Sequence, residues 1–196
     1  MPLVIGHAFV GASVAALGDS AGPRPFSLRE SGKVLVLAAA LGVLPDLDLF
    51  FTWILGMGIK WHGGFTHSIT LAAVVGWLCA RYVGRGTIRE TIVFGAAMFS
   101  HGLLDAATKK TYGGVELLWP FSRRHFKLGL FDYFAFYPDS KLDPMWILIL
   151  RALQISFYEL VIFGSVFLLA VGIRGMVDSR RYAKPSEKGA QLCTPD

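Results

Sequence analysis

The sequence has few cysteines and few charged residues. Its 196 residues include only two cysteines, Cys79 within an apolar run and Cys193 near the end. Two thiols placed in this way exclude a disulfide framework and a cysteine-based zinc site. Charged residues make up 17% of the chain, hydrophobic residues 54%, and the mean hydropathy is +0.51. Because an average soluble domain has about 25% charged residues, this composition predicts an integral membrane protein.

The chain shows no single basic face, and its N-terminal apolar run is not expected to be a cleaved secretory signal. Its formal charge is +5, but the Lys and Arg residues lie between apolar runs and in the C-terminal tail. This distribution predicts no nucleic-acid partner. The first apolar run has no basic residue before it and contains His7, which is not typical of a cleaved signal peptide. We therefore expect this run to remain in the mature protein.

Five apolar stretches, each bounded by Gly, Pro or charged residues, predict the fold. They lie near residues 3–17, 34–55, 68–83, 90–107 and 145–173. We predict an all-α, polytopic membrane helix bundle with about five membrane-embedded helices and a long aromatic interfacial loop. Residues 1–177 are assigned to a membrane-embedded helical domain with a metal site. Residues 178–196 are assigned to a disordered polar tail.

The basic residues predict how the bundle is oriented. If each stretch crosses the membrane once, eleven Lys and Arg residues lie on one side and seven on the other. The positive-inside rule then places the N-terminus outside and the tail in the cytoplasm. Because the difference is small, the opposite orientation stays open.

The histidines are predicted to lie toward one face of the membrane. There are five of them: His7, His62, His67, His101 and His125. Under the five-crossing topology, every one of them is near a helix end or in a loop on the same side. This convergence is the observation on which the prediction of a site depends.

Three aspartates are predicted to lie toward the same face of the membrane as the histidines. Asp46 and Asp48 directly follow Pro45, which interrupts helical hydrogen bonding, and Asp105 follows His101 by four residues, so those two share a helix face. An ionised carboxylate near lipid costs about 2–4 kcal/mol, and a cation offsets that cost. Interfacial acids that cap a kinked helix are the alternative interpretation.

The segment 62–68, HGGFTHS, predicts a flexible turn that leads into a helix with Thr66 as its N-cap. Its two histidines can bind one ion, because zinc favours imidazole nitrogen together with carboxylate oxygen. The alternative for either histidine alone is a hydrogen bond to the backbone. The predicted ligands are His7, Asp46, Asp48, His62, His67, His101 and Asp105. Seven exceed the needs of one tetrahedral zinc, so we expect a divalent metal, zinc by preference, with either two ions or one ion and supporting residues around it.

In order and spacing, these motifs resemble the YdjM-like family of bacterial inner-membrane proteins, which are described as membrane-bound metal-dependent hydrolases. The family pattern is matched by His7, LPDLD at 44–48, HGGFTHS at 62–68, SHGLLD at 100–105 and PFS at 120–122. Gly63 stands where family members often have Arg. The resemblance implies a multi-pass hydrolase of the inner (cytoplasmic) membrane, and with the orientation above its site is predicted on the outer face.

The predicted loop at 109–144 has nine aromatic residues interleaved with basic ones. Because aromatic rings favour the headgroup level and Arg and Lys bind phosphate, the loop is predicted to seat the head of a lipid or lipid-like substrate. The candidate substrate-binding residues are Arg123, Arg124, His125 and Lys127. An anchoring belt without substrate contact is an equal alternative.

The preferred chemistry is attack by metal-activated water on an ester or phosphoester of an amphipathic substrate, with Asp48 or Asp46 as the catalytic base. The alternatives are a membrane metal-ion transporter or channel, and a non-catalytic metal-binding membrane protein. Transport sites usually lie near the bilayer midplane, whereas these ligands are predicted toward one end. A di-iron or haem enzyme would be expected to have more histidines, or paired histidines deep between helices.

Overall fold

The computed structural model describes residues 4–18, 27–56, 62–108, 113–130 and 144–182. Within these ranges the fold is all-helical without a β-strand, and Val115 and Phe126 form an isolated antiparallel β-bridge. The helices are α1 (Val4–Gly18), α2 (Leu28–Val43), α3 (Asp48–Trp53), α4 (Ile69–Tyr82), α5 (Ile88–Ala107) and α6 (Met145–Tyr182).

Helices form in all five predicted apolar stretches, with two differences. The stretch at 34–55 forms two helices, because Pro45 lacks a backbone N–H and a 3-10 turn, Leu44–Leu47, separates α2 from α3. At the other end of the chain, α6 continues to Tyr182, so residues 178–182 of the predicted tail are helical. Arg174 Nε donates to Asp178 Oδ2 at 3.1 Å, and this buried pair holds the last turns of α6. The rest of the predicted tail, 183–196, lies outside the described residues.

Among the described residues, two segments are long and apolar enough to cross a membrane. They are Ser31–Phe51, with 21 residues and a mean hydropathy of 2.1, and Met145–Arg181, with 37 residues and a mean hydropathy of 2.2. Val4–Gly18 and Ile69–Tyr82 are apolar but shorter. Large side chains such as Leu153 and Leu168 are exposed along α6, which suits contact with lipid. Length and composition therefore support two crossings, and five crossings stays a prediction.

Small residues let the helices approach closely. In the crossing of α1 and α2, a Cβ added at Gly11 would lie 2.4 Å from the carbonyl oxygen of Ala38. In the crossing of α4 and α5, a Cβ added at Gly76 would lie 2.5 Å from the backbone nitrogen of Gly95. Contacts of this kind are typical of helix pairs in membranes. They bring the start of α1, the end of α2, the start of α4 and the end of α5 to one end of the bundle.

The segment 113–130 packs over that same end. Ile69 N donates to Leu117 O at 2.9 Å, and Thr70 Oγ1 donates to Trp119 O at 2.7 Å, which attach the segment to the start of α4. Leu128 N donates at 2.7 Å to the carbonyl oxygen of a residue in the last turn of α5, Ala106. The remainder of the predicted aromatic loop, 109–112 and 131–143, lies outside the described residues.

Candidate metal centre

Four side chains from three parts of the chain meet at the covered end of the bundle. Asp46 comes from the 3-10 turn after α2, His67 from the 3-10 turn Phe65–His67 before α4, and His101 and Asp105 from α5. One ligand atom from each lies within 4.8 Å of the others. The spacing of these four residues therefore allows them to hold one ion.

The distances within this four-residue group suit a small divalent cation. His101 Nε2 is 3.1 Å from His67 Nε2, 3.3 Å from Asp46 Oδ1 and 3.7 Å from Asp105 Oδ2. His67 Nε2 is 3.4 Å from Asp105 Oδ2. Neighbouring ligands of a tetrahedral zinc with bonds of about 2.0 Å lie about 3.3 Å apart. The four distances above are therefore close to those between neighbouring ligands of one small divalent ion.

The tautomer of His101 follows from its backbone contact. His101 Nδ1 is 2.7 Å from the carbonyl oxygen of Gly42. Because a carbonyl only accepts hydrogen bonds, Nδ1 must carry the proton. In a neutral ring, Nε2 of His101 then presents a lone pair to the four-residue group.

The tautomer of His67 follows from a chain of two hydrogen bonds. Thr66 Oγ1 lies 2.7 Å from Asp48 Oδ2 and 2.9 Å from His67 Nδ1. The single hydroxyl proton is donated to the carboxylate, so the hydroxyl oxygen accepts from Nδ1–H. His67 Nε2 therefore also carries a lone pair in a neutral ring. Two lone pairs facing each other at 3.1 Å repel unless a proton or a metal cation lies between them, and Asp46 and Asp105 supply the negative charge that a divalent ion would balance.

His7 borders the four-residue group and supports it. Its ring stacks on that of His101, with centroids 3.7 Å apart and an interplanar angle of 20°. His7 Nε2 is 3.5 Å from Asp105 Oδ1, while the other oxygen of Asp105 faces His67 and His101. The structure thus places this predicted ligand beside the donor set, where it contacts the carboxylate of Asp105.

Asp48 and His62 form a second group, which shares His67 with the first. Asp48 Oδ1 accepts from His62 Nδ1 at 2.7 Å, and Asp48 Oδ2 accepts from the backbone N–H of Gly63 at 3.3 Å. Gly63 has a φ of +85°, and a Cβ there would lie 2.9 Å from the carbonyl oxygen of Gly114, so a side chain at position 63 would be strained. The structure therefore explains why glycine suits this position.

The predicted N-cap of α4 is wrong. Ser68 caps the helix, because its Oγ accepts from the backbone N–H of Leu71 at 3.2 Å. Thr66 lies two residues before Ser68, within the 3-10 turn Phe65–His67, and its hydroxyl contacts both Asp48 and His67. The correction gives Thr66 a place in the site.

The four predicted substrate-binding residues lie outside both groups. Arg123, Arg124, His125 and Lys127 are exposed on the segment that packs over the end of the bundle bearing the site. His125 Nε2 is 3.8 Å from Glu116 Oε1. They are placed at the same end of the protein as the histidines and aspartates, on its surface.

Sequence reasoning missed Glu159. Its side chain is fully buried, and its Oε2 accepts from the backbone N–H of Gly6 at 3.0 Å, at the start of α1 and next to His7. A buried acid in an apolar stretch is itself a signal, because such residues in membrane helices normally have a partner.

The fold and the buried histidine–aspartate groups define a helical membrane protein with a candidate metal-binding site. The chain matches the YdjM inner membrane protein family over residues 1–181. It is 37% identical over 135 residues to the inner membrane protein YbcI of Escherichia coli (strain K12). The matched region covers 64% of this chain and 72% of that protein. No solved structure matches the chain. The chain belongs to the YdjM inner membrane protein family and is a protein of the inner membrane, which confirms the resemblance seen in its motifs.

Proposed function

We propose that this protein is a membrane-bound metal-dependent hydrolase that acts on an ester or phosphoester of a lipid-like substrate. The observation that carries the proposal is the opposed pair of Nε2 atoms of His67 and His101, 3.1 Å apart between two carboxylates. Each ring is fixed in the tautomer that directs a lone pair inward. Side chains held in this way are arranged for a cation before the cation binds.

The donor set fits zinc better than harder cations, because imidazole and carboxylate together are typical zinc ligands. When bound, such an ion supplies an acidified water and a positive charge for the developing oxyanion. The side chain of Asp46 is 13% exposed, whereas those of His67, His101 and Asp105 are completely buried. Substrate therefore approaches past Asp46, from the side of the 3-10 turn that joins α2 and α3.

The position of the site supports a substrate at the membrane surface. The ligands come from helix ends at one end of the bundle, and the segment 113–130 covers that end. We propose that five helices are embedded in the membrane, with the site toward the outer face and the tail in the cytoplasm, as the basic residues predict. Arg123, Arg124 and Lys127 are exposed on the covering segment, where they are placed to bind the phosphate of a lipid headgroup.

The test combines metal analysis with hydrolysis in detergent. Purified wild-type protein is expected to contain zinc or a similar metal, and to hydrolyse p-nitrophenyl esters or phosphodiesters in a metal-dependent manner. The variants His67→Ala, His101→Ala and Asp46→Ala are expected to lose both metal and activity. Phe50→Ala, which removes an exposed ring from α3, is the control and should retain both.

Two outcomes would contradict the proposal. If all three ligand variants kept wild-type metal content, the assignment of the site would be wrong. If the protein bound metal, failed to hydrolyse the probes and carried the metal into proteoliposomes, the site would belong to a transporter.

A further inference from the structure

Asp48 and His62 form a close pair beside the four-residue group. Asp48 Oδ1 and His62 Nδ1 are 2.7 Å apart, and the two side chains are 3% and 4% exposed. That separation is a direct hydrogen bond, and it is shorter than the roughly 3.3 Å between neighbouring ligands of a tetrahedral zinc. The pair is therefore built as a carboxylate–imidazole hydrogen bond.

Asp48 is held by three donors. Oδ1 accepts from His62 Nδ1, and Oδ2 accepts from Thr66 Oγ1 and from the backbone N–H of Gly63. Donors of this kind stabilise the ionised carboxylate and occupy most of its roughly four lone-pair positions. Asp48 is thereby engaged in fixing its neighbours, and it is poorly placed to take a proton from water.

The second ring nitrogen of His62, Nε2, is not used by the hydrogen bond to Asp48. Because Nδ1 donates to Asp48, the neutral ring carries its lone pair on Nε2. His62 Nε2 is buried and has no hydrogen-bond partner among the described residues. An unsatisfied buried polar atom is destabilising, and a water molecule would satisfy it. The His62 ring stands edge-on to the ring of His67, with centroids 5.3 Å apart, so His62 contacts one member of the group that would hold the ion.

We infer that His62 is the general base of the hydrolase and that Asp48 is its positioning residue. This inference rests on the proposed function. Water gives a proton to His62 Nε2 while its oxygen forms a bond to the electrophilic atom of the ester. The bond from that atom to the leaving oxygen breaks, and the leaving oxygen takes the electron pair and then the proton from His62. Asp48 holds the ring in the required tautomer and stabilises the imidazolium that forms.

The experiment compares His62→Ala and Asp48→Asn with wild type and with Phe50→Ala, using the metal-dependent probe reaction. In His62→Ala we expect wild-type metal stoichiometry and a similar KM, with kcat lower by about 10²- to 10⁴-fold. Added imidazole should restore part of this activity. Asp48→Asn should also keep its metal and lose kcat. Retained metal, together with an unchanged gel-filtration profile, shows that the variants are folded.

Each other result overturns the inference. Loss of one of two bound ions in His62→Ala would make His62 a ligand of a second metal. Retained metal with unchanged kcat would exclude it as the base while leaving the hydrolase intact. A wild-type protein that binds metal and hydrolyses no ester would remove the inference together with the proposed function.

Discussion

His67 and His101 are 34 residues apart in the chain, yet their Nε2 atoms lie 3.1 Å from each other. Neither atom faces a hydrogen-bond donor in the tautomers that Thr66 and Gly42 impose. Two neutral rings in this arrangement repel each other, and a proton or a metal cation between the two nitrogens makes the arrangement favourable. With a metal bound as proposed, we expect the stability of the protein to depend on that metal.

Removal of the metal is expected to lower the unfolding temperature. A ligand present at 100 times its Kd stabilises the folded state by about 2.7 kcal/mol, so a chelator should produce a clear decrease and added zinc should reverse it. The measurement is thermal unfolding in detergent with and without chelator. In His101→Ala the chelator should have no effect, and an equal decrease in that variant would mean that the metal binds elsewhere.

Thr66 offers a test of the tautomer argument. Thr66→Val removes the hydroxyl that connects Asp48 to His67 Nδ1 at nearly constant volume, so we expect metal affinity to decrease by about 10- to 100-fold. Thr66→Ser keeps the hydroxyl and should bind metal as wild type does. Competition with a fluorescent zinc chelator measures both affinities. Equal affinities in the two variants would show that His67 does not need this hydrogen bond.

Much of the fold could be predicted from the sequence, because apolar stretches and their boundaries depend on local composition. The convergence of His7, His67 and His101 could also be anticipated, since helices that alternate in direction return to the same end. The i,i+4 spacing of His101 and Asp105 places both on one face of α5 whatever the rest of the fold does.

The roles within the site could not be predicted from the sequence in the same way. Asp46 and Asp48 are two residues apart and face different partners, because the 3-10 turn between α2 and α3 rotates the chain by about 120° per residue. The partner of His101 Nδ1 is the backbone carbonyl of Gly42. Because every residue has a backbone carbonyl, the sequence does not identify this partner. The partner of Glu159 is fixed by the packing of α6 on α1, which no local pattern encodes.

Gly42 is expected to be essential to the α1–α2 crossing. A Cβ at this position would lie 2.4 Å from the carbonyl oxygen of His7, so Gly42→Ala must separate the helices and shift the carbonyl that holds His101. We expect a loss of about 1–3 kcal/mol of stability together with weaker metal binding. Gly32→Ala, in the same helix, meets nothing within 4 Å and is the matched control.

The control variant should be neutral or gain about 0.5–1 kcal/mol, because alanine is the better helix former. Thermal unfolding in detergent and metal titration measure both effects. If Gly42→Ala were as stable and bound metal as tightly as Gly32→Ala, the close crossing would not be needed to form the site.

Glu159 is expected to stabilise the start of α1. Its fully buried carboxylate accepts from the backbone N–H of Gly6, where the positive end of the helix dipole favours a negative charge. Glu159→Leu leaves that N–H without its acceptor at a cost of about 1–3 kcal/mol, which corresponds to about 2–4 °C in unfolding temperature per kcal/mol. Glu159→Gln keeps an acceptor oxygen and should lose less. Thermal unfolding in detergent ranks the three proteins, and a leucine variant as stable as wild type would show that hydrophobic packing of α6 on α1 suffices without the buried acid.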